Sequence, residues 1–110
     1  MASRYAAPRL FINYRSDDTG PVAATLHREL VSRLAQGDVF LDHRSIEPGG
    51  PWPDRLRHEV EQSTVVITLI GRQWLTLQGT DGIRRLDDPD DWVRKEIETA
   101  LAGSKVRYSP

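Results

Sequence analysis

Trp92 and Glu96 stand four residues apart in the stretch DDWVRKEIETAL, residues 90–101. On a helix that spacing puts the indole and the carboxylate on one face, one turn apart, flanking the apolar Val93 and Ile97. An aromatic wall then stands beside a negative charge: the ring can stack on a flat ligand and the carboxylate can stabilise developing positive charge. Spacing alone also allows the plainer reading, in which Trp92 packs at the rim of a core and Glu96 is a solvated helix acid paired with an arginine.

Other chemistries are less well provided for. Cysteine is absent, which removes disulfides, thiolate nucleophiles and cysteine zinc sites together. His27, His43 and His58 lack metal-ligand spacing, and two of them are expected on exposed helix faces. The run EPGGPWP is not a phosphate loop, because the Lys-Ser/Thr that follows a Walker glycine run is missing. Ser16 has no evident activating base, so a hydrolase triad is unsupported. Taken alone, Trp74 reads as core or rim packing.

The bulk numbers narrow the classes further. A chain of 110 residues with 38% hydrophobic content has the size of one domain. Its formal charge of −1 offers no basic stripe for nucleic acid, and the arginine-rich usage among its basic residues reads as genome bias. The longest apolar run, TVVITLI, is far too short to span a membrane, and the first residues lack the apolar segment of a secretion signal. A cytoplasmic protein with no nucleic-acid or membrane partner is the expectation.

The elements that must position Trp92 and Glu96 follow from periodicity and breakers. RLFINY reads as a short buried strand, followed by the polar loop RSDDTGP and a helix with Pro21 in its first turn. Val22, Leu26, Leu30 and Leu34 mark that helix's apolar stripe, and Gly37 closes it. DVFLD is a second strand, HRSIEPGGPWP a Gly/Pro-dense connection, and a second helix turns Leu56 and Val60 inward. STVVITLI, β-branched and the most hydrophobic stretch, is expected to be the central strand, covered on both faces. GRQWLTLQ begins a short helical or irregular segment, and GTDGIRRLDDPDD is a polar loop. The third helix buries Val93, Ile97, Ala100 and Leu101, is capped by Asp88 with Asp90 and Asp91 in its first turn, and ends at Gly103.

Strand and helix alternate with short connections, which predicts an α/β fold with a parallel sheet and helices on both faces. Ligands of such sheets bind beyond the carboxyl ends of the strands. Three segments belong at that rim: the loop after the first strand from Tyr14 to Asp18, the loop at 42–51, and the N-terminal half of the third helix.

Read in order, FINYRSDD, VFLDHRSIEPGGPW, STVVITLIGRQWL and DDPDDWVRKEIETAL resemble the successive motifs of a TIR domain of the bacterial type, over residues 9–103. Residues 1–8 are then an N-terminal arm and 9–110 the domain. The resemblance implies a flavodoxin-like sheet, and it implies cleavage of NAD+ between nicotinamide and ribose, with Glu96 as the essential glutamate of the W-x-x-x-E spacing. It further implies that Trp92, Arg15, Ser16 and the stretch containing Asp42, Arg44 and Ile46 line the nucleotide pocket; Tyr14 and Trp74 complete the candidate set. NAD+ is then a substrate and no separate cofactor or metal is expected. The loop at 42–51 is implied to serve self-association or contact with other TIR domains.

The family pattern continues with an apolar strand where this chain has KVRYSP, so the domain is expected to be C-terminally shortened. Two readings follow: an NAD+ nucleosidase activated by self-association, giving ADP-ribose or a cyclic isomer, or a non-catalytic TIR interaction module.

Overall fold

A computed structural model describes residues 8–34, 38–41 and 52–103. Its elements are β1 (Arg9–Asn13), α1 (Ser16–Arg33), β2 (Asp38–Leu41), α2 (Asp54–Gln62), β3 (Val65–Thr68) and α3 (Trp92–Ala102), with a 3-10 turn, Arg85–Asp87, before α3. The strands form a parallel sheet in the order β2-β1-β3. Phe11 pairs with Phe40 on one side and Val66 on the other, which fixes the register.

This order dictates where the helices lie. The crossover through α1 carries the chain from β1 to one neighbour, and that through α2 carries it past β1 to the opposite neighbour. Because each parallel crossover is right-handed, the two helices end on opposite faces. The core divides accordingly. Ile12, Tyr14, Ala23 and Leu41 pack together on the α1 side, with Leu26 and Leu30 against them. Phe11, Val60, Val66 and Ala100 form the cluster shared by α2 and α3. Phe11 also stacks on Phe40 with ring centroids 5.1 Å apart. The α/β class with helices on both faces is as the sequence predicts, and so are the inward Leu56 and Val60, both fully buried.

Several details differ from expectation. β1, not β3, is the middle strand of the described sheet, and β3 pairs only with β1 among the described residues. Part of the apolar run after β3 belongs to the connection instead: Leu69 packs against the α1-side core, while Ile70 is 67% exposed.

The first helix begins at Ser16, ahead of Pro21. One turn forms as Asp18 and Thr19 donate their N–H groups to the Arg15 carbonyl. The backbone then leaves helical angles at Thr19 (φ −129°, ψ 24°). Pro21 has no N–H for the Asp17 carbonyl and its ring crowds the preceding turn, which accounts for the break. The break also resets the phase. Thr19 and Ala23 are buried, Leu26 and Leu30 pack inward, and Val22, expected in the stripe, is exposed. Gly37 lies outside the described residues.

In α3 the capping residue is Asp91, whose carboxylate accepts from the Arg94 N–H; Asp88 instead accepts from the Asp90 N–H. Gly103 closes the helix, donating to the carbonyls of Thr99 and Leu101. Leu101, expected in the core, is exposed, and the fully inward positions are Glu96 and Ala100. Four residues apart, they face the sheet squarely, which places the carboxylate in line with the core.

Candidate functional site at the carboxyl end of the central strand

Alternation along β1 sends Phe11, Asn13 and Arg15 to the α3 side and Ile12 and Tyr14 to the α1 side. The last three of these residues leave the strand at the point where the chain's crossovers diverge to opposite faces. That switch point, at the carboxyl ends of β1 and β3, is where open parallel sheets offer a crevice.

Glu96 comes to this point from α3 and is 6% exposed. Asn13, completely buried, meets it: Nδ2 donates to Glu96 Oε1 at 2.8 Å and to the Val93 carbonyl at 3.2 Å. One amide nitrogen with two protons can serve both acceptors, and the opposite orientation would set an oxygen against two oxygens. Glu96 is therefore not the solvated helix acid of the plainer reading.

Arg15, 2% exposed, forms a two-pronged pair with Asp91: Nη1 to Oδ1 at 3.0 Å and Nη2 to Oδ2 at 2.7 Å. Asp91 thus neutralises a buried cation and caps α3 with the same carboxylate. The guanidinium carbon lies 5.9 Å from the centroid of the Trp74 ring, within cation–π range. Asn13 Oδ1, Arg15 Nε and Trp74 Nε1 are buried without a hydrogen-bond partner among the described residues.

A third tie joins the two strand exits. Asp18, in the first turn of α1, accepts from the N–H groups of Gly71 (2.9 Å) and Gln73 (3.0 Å) in the turn after β3. Farther out, Arg85 reaches Asp17 at 3.1 Å. On the same connection Arg84 donates two hydrogen bonds to Asp87, which hold that carboxyl below the usual carboxylate range, with the Arg94 charge adding to the effect.

Of the candidate residues, Glu96, Arg15 and Trp74 converge around the end of β1, and Trp92 stands half-buried one turn before Glu96 as the first residue of α3. Ser16 is the first residue of α1 and half-buried. Tyr14 is buried in the α1-side core, across the sheet from Glu96. Asp42, Arg44 and Ile46 lie outside the described residues. His27 bonds through Nε2 to the Val39 carbonyl rather than facing solvent, His58 is exposed, and His43 is outside the described residues. Among the described residues no cluster of metal-ligating side chains occurs, and no helix is long and apolar enough to cross a membrane.

Sequence reading missed Asn13 and the particular role of Asp91. A signal for Asn13 was present: it is a polar side chain directly after the apolar run Leu10–Ile12 of RLFIN, in register with Phe11.

A doubly wound parallel sheet with polar side chains gathered at its switch point defines a class of α/β domains that take ligands or partners at that edge. A family model described as TIR domain matches residues 10–109, and the chain belongs to that family. A comparison with curated proteins gives no match.

Proposed function

We propose that this TIR domain is an NAD+ nucleosidase in which Glu96 is the catalytic carboxylate. The observation that carries the reading is the state of Glu96: an acid 6% exposed, facing the switch point of a parallel sheet and held there by a buried amide.

The chemistry needs only one acid. Ordinary glycosidases use two carboxyl groups because a leaving oxygen must be protonated while the sugar carbon becomes cationic. Nicotinamide is a pyridinium while attached to the ribose, and takes the electron pair of the broken C–N bond to leave as a neutral molecule. No proton donor is required for departure. The positive charge passes to the ribose, and a carboxylate beside it stabilises the oxocarbenium-like transition state through a short distance in a water-poor site. Water then adds to the sugar carbon and releases a proton, giving ADP-ribose; capture by an atom of the same dinucleotide gives a cyclic isomer. Trp92 supplies a face for stacking on a flat ring. Arg15, Ser16, Asp42, Arg44 and Ile46 belong to the proposed pocket by family position, and Trp74 joins them through its place over the Arg15 guanidinium; Tyr14, buried in the α1-side core on the other side of the sheet, is left out of it. Arg15 could meet the dinucleotide only after exchanging its contact with Asp91.

A second reading, a non-catalytic module working by TIR–TIR contact, has its own observation. Ile70, Leu75 and Ile83 are 67%, 54% and 51% exposed, all in the connection between β3 and α3. Exposed apolar side chains so concentrated along one connection suit a protein surface.

One experiment separates the two. NAD+ consumption is followed at high protein concentration, with chromatography of the products, for the parent chain and for Glu96→Ala and Glu96→Gln. The nucleosidase reading expects turnover in the parent and a loss of about a hundredfold or more in both variants, the scale of removing a transition-state charge partner. Concentration-dependent assembly with no NAD+ consumption in the parent establishes the module instead.

A further inference from the structure

We infer that Asn13 is a positioning residue for the Glu96 carboxylate, and that its place in the strand serves the reaction rather than the core. The inference rests on the nucleosidase reading and adds to it a residue that family position does not single out.

The position itself is the first argument. Asn13 shares its face of β1 with Phe11, is completely buried, and would be filled by an apolar residue if packing were the only demand. A buried amide is unfavourable unless its hydrogen-bonding groups are met, and here Oδ1 has no partner among the described residues. An amide kept under those conditions is explained by what its nitrogen holds.

The second argument is the form of the contact. Nδ2 spans the Val93 carbonyl and Glu96 Oε1. Val93 and Glu96 are three residues apart on α3, so one amide group registers both the helix backbone and the carboxylate against the central strand. The bond to Val93 fixes the amide plane, and the bond to Glu96 then fixes rotation about the last bond of the acid. A carboxylate free to turn would meet the ribose in many orientations; a fixed one is preorganised for the transition state.

The third is the rigidity of the mount. Arg15, two residues along the same strand face, holds Asp91 at the start of α3 through both nitrogens. β1 therefore grips α3 at its cap and again at Glu96, so a displacement of Asn13's partner relative to the strand is opposed from two points.

The test uses Asn13→Ser, whose hydroxyl is too short for the span, and Asn13→Leu, which keeps the size and cannot donate. Steady-state kinetics with NAD+ are measured in both, together with thermal unfolding and with Asn13→Ser made in the Glu96→Gln background. A positioning role expects kcat to fall about ten- to a hundredfold, the scale of a misplaced reacting group, with KM little changed. It also expects no further loss when Glu96 is already Gln. The Asn13 side-chain amide signals in a nitrogen-15 spectrum of the parent should shift in Glu96→Gln while the backbone signals of α1 and β2 hold. A parent chain that turns over NAD+ while a folded Asn13→Ser or Asn13→Leu variant keeps its kcat overturns the positioning role and leaves the nucleosidase reading standing. A parent chain without turnover overturns both, and the amide spectrum then shows whether the contact exists as a purely structural one.

Discussion

The Arg15 guanidinium sits at a site 2% exposed, and its contact with Asp91 decides how the start of α3 is held. Its partner Asp91 has side-chain exposure of only 11%, so neither charge can recover its hydration if the other is removed. Breaking such a buried pair from one side costs about 3–5 kcal/mol, whereas replacing both partners with uncharged groups costs much less. Arg15→Leu and Asp91→Ser are each expected to lower the unfolding free energy by that amount in urea titrations, and the double variant by clearly less than their sum. Serine keeps the helix cap, so the comparison isolates the charge pair. Asp87 gives a second expectation of opposite size. Its carboxyl lies below the usual range through the hydrogen bonds from Arg84, so the folded state binds a proton less readily than the unfolded chain. The contribution is complete above the unfolded value, about 3.9, and fades as pH falls through the lower folded value. Asp87→Asn should flatten only this acid-side slope in a pH series of melting temperatures, and slightly, because the pair is exposed. Sequence showed the acid of W-x-x-x-E but not its burial, since a helix pattern cannot say which turn meets the end of a strand. Likewise the sequence favours Asp88, before Pro89, as the cap, and only the pairing of Arg15 with Asp91 on the same side of the sheet shows which aspartate takes that place.

The exits of β1 and β3 are joined through the Asp18 carboxylate, which takes the N–H groups of Gly71 and Gln73. A Cβ on Gly71 would lie 2.7 Å from both Cγ and Oδ2 of Asp18 and closer still to Oδ1. The carboxylate would have to withdraw, and two backbone donors would lose their acceptor. Gly71→Ala is therefore expected to destabilise the fold by about 1–3 kcal/mol, as small-to-large changes at packed sites do. Asp18→Ala should cost a similar amount, and the two losses should not add, since both break one contact. Denaturant midpoints of the two single variants and the double variant check this. The alternation of strands and helices was legible because each element carries its own period and its own breakers. What was not legible is order in the sheet: TVVITLI is the most apolar run, yet its final residues form a connection, and the shorter RLFIN takes the middle. The phase of α1 escaped for a related reason, because the interruption at Thr19 rotates the stripe by a fraction of a turn that no fixed period includes.

For the whole molecule the consequence is that one five-residue strand feeds both cores. Phe11 belongs to the cluster under α2 and α3, and Ile12, the next residue, to the cluster under α1. Neither layer can loosen without disturbing the strand that backs the other, and Glu96, Arg15 and Asp18 all meet at that strand's exit. Phe11→Ala is expected to lower stability by about 3–5 kcal/mol and Ile12→Ala by about 2–5 kcal/mol. Leu101→Ala, on an exposed side chain, should stay within about 0.5 kcal/mol. If the two layers are one cooperative unit, each β1 variant will shift a helix signal and the fluorescence of Trp52, Trp74 and Trp92 to the same new denaturant midpoint. Trp52 packs on the Phe11 cluster, Trp74 lies over Arg15 at the site and Trp92 opens α3, so all three fluorophores of this test report on the α2 and α3 side. Separate midpoints for the far-ultraviolet and tryptophan signals in Ile12→Ala would mean that the α1 layer unfolds by itself. In that case the geometry at Glu96 would depend on the α3 layer alone, and the contact of Asn13 with Glu96 would outlast the loss of α1.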